Sequence, residues 1–387
     1  MKRPWKAVGM LALACAALLH SQALGLLIQM VAAVILCLSF WLLMGQGGMV
    51  SFGHAVYSGA GAFAAIHLMR AIDQGLWWPM LAVPLAGASA AALLAWPLGW
   101  LATRHHSTMV FAMITLGLGE LVGAGALMFP SVFGGDAGIS ADRGAGLDWE
   151  PNWARLPLLY ALALAYLALA VLILRGYLGT PTGRLLQAVR ENPQRVSFVG
   201  QDPRRIRHIS FMVAAFLAGL AGSLGALFNE IVSPEVFSSQ RSAAVLIFSL
   251  MGGLALMSGA VVGGVLMVLG SVVLPSWTPA WLLYLGLAFI VILWGLPGGL
   301  MPGLPRALQA WRRAPEKAAA WFVFALGLGA LVEMTYQWRL ASIMGAQLNY
   351  LGLRLDTAEP WNWLAGPALM AGAVLILYLR GSHRGRA

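Results

Sequence analysis

The sequence predicts an all-α polytopic membrane protein with about ten core transmembrane helices and about two further spans near the C-terminus. Two observations predict this class. Hydrophobic residues make up 60% of the 387 residues and charged residues only 10%, whereas about a quarter of the residues are charged in a soluble domain. Long apolar runs also recur along the chain, and only helices or closed barrels satisfy their own backbone groups in a bilayer.

The apolar runs give the order of the spans. The basic N-terminus MKRPWK and the run after it resemble a signal peptide, but a second apolar run follows almost at once, so we expect an uncleaved first span. The region 243–274 can be read as one long helix, two short helices or a re-entrant pair. The predicted spans are 7–23, 25–45, 48–69, 80–101, 108–128, 157–174, 209–228, 243–257, 259–274, 280–296, 318–337 and 362–379.

The distribution of basic residues predicts the orientation. The net charge is +10, but the basic residues lie between spans, where orientation signals lie, and so they do not indicate nucleic-acid binding. With the N-terminus inside, about three in four of the 24 Lys and Arg residues fall on inner segments. We therefore expect both termini to be cytoplasmic.

The same pattern divides the chain into parts. We expect an N-terminal span at 1–24, a core at 25–304, a cytoplasmic linker at 305–317 and a two-span extension at 318–387. Glycine-rich, interrupted segments at 45–61 and 252–264 are compatible with two inverted repeats. Small residues at helix contacts would give the same pattern without any repeat.

The polar segment 176–208 carries clear helix signals. Three pairs place a capping side chain directly before a proline that suits the first helical turn. These pairs are Thr180-Pro181, Asn192-Pro193 and Asp202-Pro203. They predict helices at Pro181–Glu191 and Pro193–Val199 and a third that begins near Pro203, and Gly200 stands where a C-cap is expected.

This basic segment has two interpretations. Leu185 and Val189 are four residues apart and should share an apolar face of the first helix. A compact, basic and capped segment between spans suggests docking to another molecule. An ordinary solvated loop, basic because cytoplasmic loops are enriched in Lys and Arg, would also explain the sequence.

Polar side chains at membrane depth are costly and usually face protein or water. Six such residues are candidates for a substrate route: His54, Tyr57, Ser58, Glu120, Asn229 and Glu230. Alternatively, His54 and Tyr57 only make interhelical hydrogen bonds, and the two glutamates reach the outer interface.

The sequence gives no support for an enzyme. It has no Gly-x-x-x-x-Gly-Lys-Ser/Thr phosphate loop and no Gly-x-Ser-x-Gly elbow. His105 and His106 are adjacent, without the spacing of a helical zinc site. Cys15 and Cys37 both fall inside apolar runs. We therefore predict no catalytic residues, no metal site and no ATPase site in this chain.

Several motifs resemble those of one transporter family. The run GQGGMVSFGHAVYSGAGAFAA at 45–65 resembles the signature of the LivM-type permeases of branched-chain amino acid ABC importers. It matches at Ser51, Gly53, His54, Ala55 and Tyr57, and departs at Met49 and Phe63. The runs FAMITLGLGE at 111–120, with Thr115 and Glu120, and GGDAG at 134–138 also resemble family segments.

The strongest resemblance lies in the polar segment. GRLLQAVRENPQRVSFVG at 183–200 resembles the cytoplasmic element that seats in a groove of the ATPase subunit in this family. The residues that carry it are Gly183, Arg184, Ala188, Arg190, Glu191, Asn192 and Gly200. SPEVF at 233–237, the run 251–264 and LPGGL at 296–300 extend the resemblance over roughly 25–304.

The resemblance implies a permease subunit of an ATP-driven importer in the bacterial inner membrane, for branched-chain or other hydrophobic amino acids. Its expected partners are a second, LivH-like permease, two cytoplasmic ATPases that use the ATP, and a periplasmic binding protein. Arg190 and Glu191 would pair with charges on the ATPase. The expected translocation path contains Ser51, His54, Tyr57, Thr115, Glu120, Asn229 and Glu230.

The alternative is a stand-alone secondary transporter or channel for a small polar solute. It would use an ion gradient, with Glu120 or Glu230 as the proton site. The structured Arg-rich segment favours the importer.

Overall fold

The fold is that of a computed structural model, which describes residues 21–104, 107–143, 155–296, 298–313, 315–339, 347–350, 353–356, 362–364 and 366–372. Residues 7–20 of the predicted span at 7–23, and residues 365 and 373–379 of the one at 362–379, lie outside these residues. The chain divides into two compact units. One is Met1–Val268 with Gly298–Met301, and the other is Leu269–Pro297 with Pro302–Ala387.

The described residues of the first unit form mainly helices, with one short pair of strands. Its elements are α1 (Ser21–Trp41, continued by a π-helical turn Leu42–Gln46), α2 (His54–Asp73), α3 (Val83–Ala102), α4 (Thr108–Met128), α5 (Pro130–Phe133), β1 (Ile139–Ser140), α6 (Arg155–Gly179), α7 (Pro181–Glu191), α8 (Pro193–Phe198), α9 (Pro203–Asn229), β2 (Ile231–Val232), α10 (Ser239–Gly252) and α11 (Met257–Val268). The strands pair antiparallel, with Ile139 opposite Val232.

Helix α9 lies at the centre of this unit and packs against α1, α2 and α3. The packing depends on glycines that bring helix backbones into contact. A Cβ atom on Gly222 would lie 1.8 Å from the carbonyl oxygen of Ser58, and one on Gly61 would lie 2.3 Å from that of Gly219. The Oγ of Ser223 donates to the carbonyls of Gly61 and Gly219, at 3.0 and 2.7 Å. Larger residues at these glycines would force α2 and α9 apart.

The all-α polytopic class is confirmed. Within the described part of the chain, eight helices are long and apolar enough to cross a membrane, or nine if the bent pair Trp281–Gly295 and Leu300–Gln309 counts as one span. The eight are Ala23–Gln46, His54–Asp73, Met80–Ala102, Thr108–Met128, Leu156–Gly179, Pro203–Asn229, Met257–Trp277 and Ala319–Arg339. The predicted span 243–257 corresponds to α10, which has 14 residues and is too short to cross a bilayer of about 30 Å on its own.

The second unit contains a π-helical turn (Leu269–Val273), α12 (Leu274–Trp277), α13 (Trp281–Gly295), most of α14 (Leu300–Arg313), α15 (Pro315–Arg339) and the strands β3 (Gln347–Tyr350) and β4 (Leu353–Asp356), which pair antiparallel. The expected linker at 305–317 is helical on both sides of residue 314. Within this unit Glu333 accepts hydrogen bonds from the Thr278 and Tyr284 hydroxyls, at 2.5 and 3.0 Å.

Candidate coupling segment and helix break

The segment that joins α6 to α9 folds as its capping residues predict. The Oγ1 of Thr180 accepts from the backbone N–H of Gly183 at 3.2 Å, and the side chains of Asn192 and Asp202 cap α8 and α9 in the same way. Helix α7 begins at Pro181 and ends at Glu191, and α8 ends one residue before the predicted Val199. Gly200 adopts a φ of 80°, which glycine reaches without the strain that a Cβ atom would add. The predicted helices are confirmed.

Helix α7 lies on the body of the protein. Gly183, Leu186 and Val189 are buried on its inner face, which packs against α6 and α9. A Cβ atom on Gly183 would lie 2.2 Å from the carbonyl oxygen of Tyr177, so only glycine fits there. The apolar face predicted for Leu185 and Val189 is turned toward the body of the protein, since Val189 is fully buried and Leu185 is half-buried, so it is not open to a partner.

The outer face of the segment is charged and ends in an apolar tip. Arg184, Arg190, Glu191 and Gly200 are exposed, while Ala188 and Asn192 are half-buried. Beyond them, at the end of α8, Phe198 is 89% exposed and Val199 is 78% exposed. We call these two residues the apolar tip. The seven predicted coupling residues thus lie in one segment, but six of them face outward at least in part and Gly183 faces inward.

Helix α7 contacts the end of the first described span. The Nε2 of Gln187 donates to Oε1 of Gln46, and the guanidinium of Arg190 donates to the carbonyl oxygen of Gly45. Thr108, at the start of α4, donates to the carbonyl oxygen of Gly48 at 3.2 Å. Arg190, expected to pair with a partner's charge, therefore has an acceptor within its own chain. The coupling segment and the glycine-rich motif at 45–65 meet directly.

The chain between Gln46 and His54 is not helical and runs back into the protein. We call residues 47–53 the helix break. At its far end the ring of His54 is hydrogen-bonded to Ser39, with 2.7 Å between Nε2 and Oγ. Ser39 lies seven residues before Gln46 in the same helical run, so the break descends by about 10 Å. Helix α2 therefore begins inside the protein, where its first backbone N–H groups need protein partners.

Those partners come from neighbouring helices. The backbone N–H of Phe52 donates to Oγ1 of Thr115 at 3.2 Å, and that of Ala55 donates to Oγ of Ser242 at 3.0 Å. A Cβ atom on Gly53 would lie 2.1 Å from the carbonyl oxygen of Thr115, so this glycine permits the close approach of the break to α4. The hydroxyls of Thr115 and Ser242 thus take the place of two helical carbonyl acceptors, and the Ser39 hydroxyl holds the ring of His54. The Oγ of Ser51 is buried beside them without a hydrogen-bond partner among the described residues.

The structure divides the expected translocation path into separate groups. Ser51, His54, Tyr57 and Thr115 are buried together around the helix break. Glu120 is exposed on another face of α4, and Asn229 is exposed at the end of α9. Their assignment to a path stays a prediction.

Glu230 belongs to a third group at the strand pair. It has a φ of 59°, unusual for a residue with a side chain, and its backbone oxygen accepts from Ala141 at 3.0 Å. Its carboxylate pairs with Arg143 at 3.2 Å. A cavity of about 470 Å³ lies beside it, lined by Arg70, Asp73, Ser140, Ala141, Asp142 and Glu230. The cavity offers both charge signs, as a zwitterion or a partner's charged surface would require.

The family model described as branched-chain amino acid transport system, permease component, matches residues 22–294. The chain belongs to this family. The permease is 28% identical to the high-affinity branched-chain amino acid transport system permease protein LivM of Escherichia coli over 292 residues, which covers 70% of this chain and 67% of that relative. The LivM of Salmonella typhimurium is similar to the same extent. A probable LivM of Methanocaldococcus jannaschii is 26% identical over 35% of this chain and 44% of its own. No solved structure matches the permease.

Several functional candidates were missed by the sequence reasoning. Ser39 lies in an apolar run and Ser242 at the border of one, and each is recognised only through its bond to the start of α2. The pairing of Gln46 with Gln187 joins positions 141 residues apart. The apolar tip did carry a signal, since Phe198-Val199 is an apolar pair inside a polar segment. Within the part of the permease that the structure describes, no group of His, Cys, Asp or Glu has the geometry of a metal site.

Proposed function

We propose that the permease is the membrane subunit of an ATP-driven importer for branched-chain or other hydrophobic amino acids. Helices α7 and α8 would dock on a separate cytoplasmic ATPase, which binds and hydrolyses the ATP. The membership of the family and the names of the LivM relatives support the transport role. The observation that carries the ATPase coupling is the exposed apolar tip on the capped, basic segment.

The apolar tip has the properties of an anchor for a partner. It lies outside the helices that can span a membrane, so its apolar surface is expected in water rather than in lipid. Exposed aromatic side chains flanked by arginine are typical of the residues that dominate binding energies. Phe198 is preceded by the exposed Arg195 on the same helix, and Arg184 is exposed on α7. The arginines would select an acidic partner surface, and the apolar tip would supply most of the binding free energy.

The contacts of α7 supply a route for transmission. Its inner face is fixed to the body by Leu186 and Val189, so α7 would move with the helices against which it packs. The bonds from Gln187 to Gln46 and from Arg190 to Gly45 would carry a displacement to the helix break. From there it would reach the start of α2. Rigid-body movement of packed helices is a common form of such coupling.

The remaining parts of the proposal concern the partners and the orientation. We infer a second, LivH-like permease, two ATPases and a periplasmic binding protein, the last of these docking on the side of the strand pair. The chain itself would bind no cofactor. It would lie in the bacterial inner membrane with both termini in the cytoplasm, which puts α7 and α8 on the ATPase side.

The deciding experiment is purification of the tagged permease from its native membrane in a mild detergent, with mass spectrometry of the proteins that accompany it. We expect an ATPase, a second permease and traces of a binding protein, and ATP hydrolysis by the eluted complex. Recovery of the chain alone, without ATP hydrolysis, would overturn the proposal. The secondary transporter, with a proton site at Glu120 or Glu230, would then be the better explanation.

A further inference from the structure

One face of α4 is exposed along its whole length. Its residues recur at spacings of three and four, as on one side of a helix. They are Met109, Met113, Leu116, Glu120, Ala124 and Leu127. We call this face the α4 stripe. Five of its six members are apolar or small, and the sixth is a carboxylate.

Glu120 lies at membrane depth. It follows Thr108 by twelve residues and precedes Met128 by eight, which places it about 18 and 12 Å from the two ends of the helix. Among the residues that the structure describes, none forms a hydrogen bond or an ion pair with its side chain. A carboxylate in hydrocarbon is costly unless protein or water surrounds it. The α4 stripe is therefore unsuited to a lipid surface.

Two other helices of the chain serve as comparisons, one for the partners of an acidic residue within a span and one for the composition of a lipid-facing surface. Helix α15 also carries an acidic residue within its span, but Glu333 accepts hydrogen bonds from two hydroxyls of its own unit. Helix α6 is exposed to a similar degree, yet it has no charged residue between positions 157 and 174. Its outer face, with Leu158 and Leu172, has the composition that lipid requires.

We propose that the α4 stripe is the docking surface for the second permease subunit, and that this subunit supplies the hydrogen-bond donor or cation that Glu120 lacks. This rests on the proposed function only in requiring that a second permease exists. A second copy of this chain fits less well. A two-fold contact along the stripe would bring two Glu120 carboxylates together, and like charges at low dielectric oppose each other. The partner is therefore a different polytopic chain.

The test compares two positions of nearly equal exposure. Met113 on the stripe is 66% exposed and Leu172 on α6 is 65% exposed. Each is replaced in turn by the photoreactive p-benzoylphenylalanine in the complex in its native membrane. We expect a discrete protein adduct from position 113, identified by mass spectrometry as a second permease chain. From position 172 we expect no protein adduct.

Two outcomes would overturn the proposal. Adducts with lipid alone at position 113 would show that the stripe faces the bilayer, and adducts with this same chain would exclude a different partner. The ATPase recovered from the same membranes reports on the proposed function separately, so the two failures are distinguishable.

A second pair of variants tests Glu120 itself without the photoreactive group. Glu120→Gln keeps a hydrogen-bonding side chain, whereas Glu120→Leu makes the stripe wholly apolar. Loss of a buried bond to a charged group should reduce the recovery of the second permease about tenfold in Glu120→Leu. Glu120→Gln should retain most of it. Equal recovery of the second permease with both variants would show that Glu120 does not contribute to the interface.

Discussion

Replacement of Phe198 by alanine separates docking from folding. Because the side chain is 89% exposed, its removal should change the free energy of unfolding by less than about 0.5 kcal/mol. Docking on an ATPase would bury it. An aromatic side chain that buries about 150 Å², at about 25 cal/mol per Å², contributes up to about 4 kcal/mol. Part of this is offset by the entropy lost when the side chain is ordered in the interface. We therefore expect Phe198→Ala to lower the binding free energy by about 2 kcal/mol, which is about 30-fold weaker association.

The assay titrates the purified permease complex with its ATPase and follows both binding and transport-coupled ATP hydrolysis in proteoliposomes. Phe198→Trp keeps an aromatic anchor and should bind within a few-fold of the parent. Leu186→Ala is the opposite control, because Leu186 is fully buried and its truncation should cost about 3 kcal/mol of stability. If Phe198→Ala binds the ATPase as tightly as the parent, the apolar tip is not the anchor and the reasoning fails.

Four further changes probe the parts around the tip. Gln187→Ala removes one bond between α7 and the π-helical turn that precedes the helix break, so it should lower transport per ATP hydrolysed while ATPase affinity stays unchanged, and an unaltered ratio would refute transmission at this point. Glu191→Ala, at an exposed position, should lower transport-coupled ATP hydrolysis without loss of membrane insertion, and full hydrolysis would count against ATPase contact there. Asn192→Ala removes the cap of α8 and should cost about 1 kcal/mol, seen as a lower thermal midpoint that Asn192→Ser restores. Gly222→Ala would place a Cβ atom 1.8 Å from a carbonyl oxygen of α2, so it should cost about 2 kcal/mol or more, and parental stability would show that α2 and α9 are not held by this contact.

The segment of α7 and α8 was predictable because its signals are local. Each helix start is set by a side chain and a proline that are neighbours in sequence, and Asn192 and Asp202 cap the residues that immediately follow them. The same holds for α4, whose predicted range 108–128 coincides with the observed helix. A uniform apolar run between polar loops leaves few alternatives.

The orientation of these helices was not predictable in the same way. The i, i+4 spacing of Leu185 and Val189 correctly put them near one face, but it could not tell that Val189 and Leu186 pack on the body. The sequence predicts an interrupted, glycine-rich segment at 45–61 and a span that begins at 48, but not that the chain turns back into the protein before α2 begins at His54. The descent of the helix break is stabilised by Ser242, which lies 187 residues from Ala55, and no local signal reports such a pairing. Long-range hydrogen bonds of this kind decide where a buried backbone can leave its helix.

The helix break has a mechanical consequence. Its seven residues, fully extended, would reach about 23 Å, yet they connect two points about 10 Å apart in depth. The break is therefore not fully extended, and it is packed inside the protein, where Met49 and Ser51 are buried. A displacement of α7 would therefore reach α2 through the packed side chains of the break rather than by tension along its backbone, and the glycines at 47, 48 and 53 would allow the change of direction. Any such movement of α2 must also break or shift the hydrogen bonds at Thr115 and Ser242, which hold the end of the break and the start of α2 in place.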